Sequence, residues 1–152
     1  MKLGELRGKF RGGTAWIVGK GPSLAHLRRE HFGAGPVIAL NQAIAVLEAL
    51  GLANPVYALQ KDGCGLTEPH EQCALRDGHD WMLRPEQAVL IVQTTPGYSK
   101  FCLSNYEPRL EIDPVRDLGF HYPQTMAVRM GIALARLMGC GRVMMMCWKA
   151  SL

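Results

Sequence analysis

Ala15-Trp16-Ile17-Val18-Gly19-Lys20-Gly21-Pro22-Ser23-Leu24 carries the strongest fold signal in the chain. Its first four residues are apolar and read as a buried strand. That strand runs into a Gly-x-Gly turn, and the residues from about Ser23 to His31 read as a helix broken by Gly33-Ala34-Gly35-Pro36. Gly19 and Gly21 permit backbone conformations and close approaches that a Cβ blocks. Pro22 suits a first helical turn. Ser23 is placed to cap free N–H groups or to share them with a phosphate oxygen, which the helix dipole also favours, and Lys20 adds a positive charge. Two readings stand side by side at this point, a phosphate-binding turn and a tight turn without a ligand. The motif lacks the third glycine of the dinucleotide fingerprint and is not Gly-x-x-x-x-Gly-Lys-Ser/Thr.

Working outward, Val37-Ile38-Ala39-Leu40 reads as a second buried strand. Asn41 follows where a helix N-cap belongs, and a cap or a ligand contact suits it equally. Ala43, Val46, Leu47 and Leu50 fall at helical spacing, with Gly51 placed to end the helix. Val56–Gln60 is a third strand, and the series matches a mononucleotide-binding half of a doubly wound sheet. Residues 61–87 and 94–123 lack a period and read as long irregular loops, of a kind that is often functional. Between them Ala88–Gln93 is a strand. Thr125–Met138 then carries the apolar stripe Met126, Met130, Ala133, Leu134 and Leu137, Gly139 ends that helix, and Val143–Met146 is a last buried strand. The expected fold is α/β, a single Rossmann-like domain over 15–152 with a mostly parallel sheet flanked by helices, preceded by a basic arm over 1–14.

The 152 residues are 48% hydrophobic and 20% charged, which suits a globular domain and excludes a disordered chain. No apolar run is long enough to span a membrane, and no apolar signal segment follows the basic N-terminus, so a cytoplasmic protein is expected. Five cysteines, an odd number, point to reduced thiols. The net charge of +4 is concentrated in residues 1–31, where Lys2, Arg7, Lys9, Arg11, Lys20, Arg28 and Arg29 stand against Glu5 and Glu30. Such a region draws an anionic ligand toward the turn, or is simply a solvated basic arm. Nucleic acid is disfavoured, because these cations lack interleaved aromatics for base stacking.

The series Ile17-Val18-Gly19-Lys20-Gly21-Pro22-Ser23-Leu24, Ile38-Ala39-Leu40-Asn41 and Gln60-Lys61-Asp62 resembles a group of Rossmann-like transferases. The group includes bacterial sialyltransferases, motility-associated flagellin glycosyltransferases and the 6-hydroxymethylpterin diphosphokinase-like domain. The resemblance covers roughly 16–62 and 124–147 and implies a glycosyltransferase using a CMP- or UDP-linked sugar donor and a small-molecule or glycan acceptor. It places Gly19, Gly21, Ser23 and Asn41 on the nucleotide, Asp62 on a ribose hydroxyl or Mg2+, and Thr125 on the sugar or phosphate. Lys20 stands where the family has asparagine. Cys147-Trp148-Lys149 replaces the family's Gly-x-Asp, and relatives continue past this point through the region of the sialyltransferase catalytic histidine. A shortened member is therefore expected. The pterin relative implies diphosphoryl transfer from ATP and Mg2+ instead, and a non-catalytic nucleotide-binding module is the third reading.

His121, before Tyr122-Pro123, is the candidate general base, its alternative being a loop histidine without a catalytic role. Cys64, His70, Cys73 and His79 supply two thiols and two imidazoles, but their spacing matches no common zinc motif and no metal site is assigned. Met144-Met145-Met146 continues an apolar strand and reads as packing.

Overall fold

The computed structural model describes residues 2–40, 43–60, 88–93, 109–121 and 127–148. Among these residues six strands form one sheet: β1 (Thr14–Val18), β2 (Val37–Leu40), β3 (Val56–Gln60), β4 (Ala88–Gln93), β5 (Arg109–Ile112) and β6 (Arg142–Met146). Their order is β5-β4-β3-β2-β1-β6, and every neighbouring pair is parallel. The α/β class, the parallel sheet and the flanking helices agree with the expectation.

Alternation along the strands divides the apolar residues between two faces. Ala15, Ile17, Ile38, Leu40, Tyr57 and Leu59 enter one core. Val18, Val37, Ala39 and Ala58 enter the other. Helix α1 (Ala43–Leu50) lies on the second face through Ala43, Ile44 and Leu47, and Gly51 closes it at φ +57°. Helix α3 (Ala127–Leu137) lies on the first face through Met130, Leu134 and Ala135, all fully buried. Burial of Met130 and of Leu134 contributes about 1.5–3 kcal/mol each. Gly131 lets α3 approach closely, since a Cβ there would stand 3.3 Å from Ile17 Cδ1.

The placement of the helices follows from handedness. β2 and β3 step away from β1 in one direction, whereas the connection ending in β6 returns past β1 to its other side. Right-handed crossovers in opposite directions put their helices on opposite faces. α1 and α3 obey this rule.

The first residues are part of this packing. Leu6 is fully buried in the first core. The amides of Gly8, Phe10 and Gly12 donate to Leu137 O, Met138 O and Gly139 O, stitching the segment to the end of α3.

Two stretches differ from the sequence reading. Between Ser23 and His31 there is no α-helix but two 3-10 turns, Pro22–His26 and Arg29–His31. Leu24 and Leu27, three residues apart, share a face in 3-10 geometry and both pack into the second core. Arg28 and His31, where an α-helix would continue that stripe, are exposed. The second correction falls inside the loop expected over 94–123, where the structure has β5 and helix α2 (Pro114–Leu118). β5 has only Leu110 and Ile112 as apolar residues, too few to establish a period. α2 is capped by Asp113, whose carboxylate accepts from the amides of Val115 and Arg116 at 2.9 and 3.2 Å.

Candidate functional site

At the carboxyl end of the sheet β1 lies between β2 and β6, the two neighbours reached by crossovers of opposite direction. In open parallel sheets this reversal opens the crevice where ligands bind. The turn Gly19–Ser23 leaves β1 at this point. Opposite it, β6 ends in Cys147 and Trp148.

These two segments are closely joined. Gly19 N–H donates to Met146 O at 2.9 Å and Gly21 N–H to Cys147 O at 2.6 Å. A Cβ on Gly19 would stand 3.0 Å from Cys147 O and 3.2 Å from Trp148 Cε3. The protein's own backbone thus favours glycine at 19, and both glycine amides are bonded to carbonyls at the end of the last strand. Gly21 has φ −65° and ψ 163°, open to any residue. Pro22 stands at the start of the 3-10 turn, and the helix dipole expected at Ser23 is lost with the α-helix, since a five-residue turn aligns few peptide dipoles.

Lys20 and Ser23 keep their polar groups available. Both are exposed, and among the described residues neither the Lys20 amide and ammonium nor the Ser23 amide and hydroxyl has a partner.

Cys147 and Trp148 complete the site. Among the described residues Cys147 is the non-glycine residue at positive φ, +55°. That left-handed conformation is uncommon for cysteine and turns the chain so that its carbonyl meets Gly21. Trp148 is 46% exposed beside Gly19. Part of this large aromatic side chain is thus left open to solvent next to the turn. The sequence reading treated Trp148 only as part of a departure from the family ending, and the signal it missed was the pairing of β6 with β1.

The remaining candidates are placed as follows. His121 is exposed in the chain between α2 and α3, and no contact among the described residues joins it to the turn. Asn41, Asp62, Thr125 and Lys149 lie outside the described residues, as do Cys64, His70, Cys73 and His79. Among the described residues no group of His, Cys, Asp and Glu is arranged to hold a metal ion, and no helix is long and apolar enough to cross a membrane. The chain matches no protein-family model, and the curated proteins and solved structures likewise give no match.

Proposed function

We infer that the protein binds a nucleotide at the carboxyl ends of β1 and β6, as the donor-binding part of a nucleotide-sugar-dependent glycosyltransferase. One observation carries this reading: the turn Gly19–Ser23 sits at the reversal of strand order with exposed polar groups on Lys20 and Ser23 that have no partner among the described residues. A phosphate there takes its donors from Lys20 and Ser23, because the amides of Gly19 and Gly21 are already bonded. The base stacks on Trp148, which supplies affinity without base-specific hydrogen bonds. Transfer on such a site is a matter of positioning and of stabilising the leaving phosphate. The resemblance in sequence supports the glycosyl reading over other nucleotide chemistry.

Calorimetric titration with CMP, UDP and GDP tests it. The expected result is saturable binding of at least one of them, weakened about tenfold by Trp148→Ala, in keeping with the worth of one base–aromatic stack. Lys20→Ala weakens binding of inorganic pyrophosphate as well, whereas Trp148→Ala does not. No binding of any nucleotide at millimolar concentration overturns the reading. Binding of ATP–Mg2+ with none of CMP or UDP reassigns the site to diphosphoryl transfer.

A further inference from the structure

Helix α3 turns one side away from the sheet. Arg129, Ile132, Ala133 and Arg136 lie at i, i+3, i+4 and i+7, so they line one face. Both arginines are exposed, and Ile132 is 38% exposed although apolar. Gly8 N–H bonds Leu137 O, which brings the neighbouring Arg7 to the Arg136 end of the helix. The end of α2 and the following Phe120 build the opposite wall. Together they bound a groove of about 610 Å³.

Charge in this groove is unbalanced. Its carboxylate, Asp117, is taken by Arg116 through bonds of 2.8 and 3.0 Å and also accepts from Asp113 N–H at 2.8 Å. Among the described residues Arg7, Arg129 and Arg136 have no ion pair or side-chain hydrogen bond. Among the described residues, three guanidinium groups without a counter-charge therefore surround a partly apolar lining that includes Leu118, Phe120 and Ile132.

We propose that this groove docks an acidic amphipathic helix of a partner protein. Arg129 and Arg136 are separated by about 10.5 Å along the axis, at 1.5 Å per residue. Carboxylates seven residues apart on a docking helix have the same spacing, and the apolar residues between them meet Ile132 and Phe120. The cations come from the two ends of the groove rather than converging on one point, which suits an elongated partner over a compact anion. Arginine favours the arrangement because its planar fork meets a carboxylate through two parallel N–H···O bonds.

The probe is a fluorescein-labelled synthetic helix of about four turns, with glutamates seven residues apart and leucines three and four residues after the first. Fluorescence anisotropy in the absence of nucleotide keeps the outcome independent of the crevice at β1 and β6. Saturable binding is expected, weakened at least about tenfold in Arg129→Glu/Arg136→Glu. A peptide with lysines in place of the glutamates recovers binding to that double variant. The two positions are exposed helix sites, and an unchanged thermal melt verifies that the variant folds. No saturable binding overturns the proposal, as does equal binding by the parent protein and the double variant. Binding of pyrophosphate by the groove with the peptide silent also overturns it, in favour of a small-anion site.

Discussion

At Gly35 the backbone has φ +121°, and a Cβ would collide with the carbonyl oxygen of Thr14. No side-chain rearrangement relieves a clash with backbone. Gly35→Ala is therefore expected to cost more than about 3 kcal/mol or to abolish cooperative unfolding in urea. Gly19→Ala meets Cys147 O at 3.0 Å without a φ penalty, so its cost is smaller, about 1–2 kcal/mol in the same measurement. Buried Tyr57 and half-buried Cys140 bear on stability at alkaline pH. Burial pushes the Cys140 thiol above its usual 9.0, and burial, then the nearby Cys140 thiolate, pushes the Tyr57 phenol above 10.0. The folded protein thus holds protons that the unfolded chain releases, so these contributions are complete below about pH 9 and are lost as pH rises through the folded values. Thermal melts are expected to fall above about pH 9, and Tyr57→Phe is expected to flatten the part of that fall above pH 10. Tyr57 is 1% exposed and has no hydrogen-bond partner among the described residues, so the same substitution leaves neutral-pH stability nearly unchanged.

Among elements, α2 depends most on its cap. Asp113 accepts from two amides, and Gly119 ends the helix at φ +72°. Asp113→Ala is expected to lower stability by about 1 kcal/mol, read from the denaturation midpoint, whereas Asp113→Asn keeps most of it. Why α2 and β5 escape a reading of the sequence is visible here. A four-residue strand and a five-residue helix show too little periodicity, and their existence rests on Leu110 and Ile112 entering a core built mainly by distant residues. α1 and α3 were legible because each carries its own apolar stripe and a closing glycine, Gly51 or Gly139, at positive φ. The helix expected after Ser23 failed for the converse reason. Leu24 and Leu27 alone do not make a 3.6-residue stripe, and the exposure of Arg28 and His31 selects the tighter turn.

On the scale of the whole molecule, the strand order brings together two segments separated by more than a hundred residues, Gly19–Ser23 and Cys147–Trp148. The first was legible as a candidate site because strand, turn and polar residues are adjacent in the chain. The second was not, since only the parallel pairing of β6 with β1 puts an exposed tryptophan beside the turn and directs the Met146 and Cys147 carbonyls at the glycine amides. The edge position of β6 also explains why Met144 and Met145 are 43% and 39% exposed rather than buried as their apolar character suggested. Nucleotide binding at this juxtaposition is the proposal on which the functional reading rests. Its most direct test is a 15N-resolved NMR titration with CMP, UDP and GDP, which reads every backbone amide and the Trp148 indole at once. Saturable shifts are expected, largest at Lys20, Ser23 and the Trp148 indole. Unchanged signals from these three groups at millimolar nucleotide, or shifts confined to the groove along α3, contradict it.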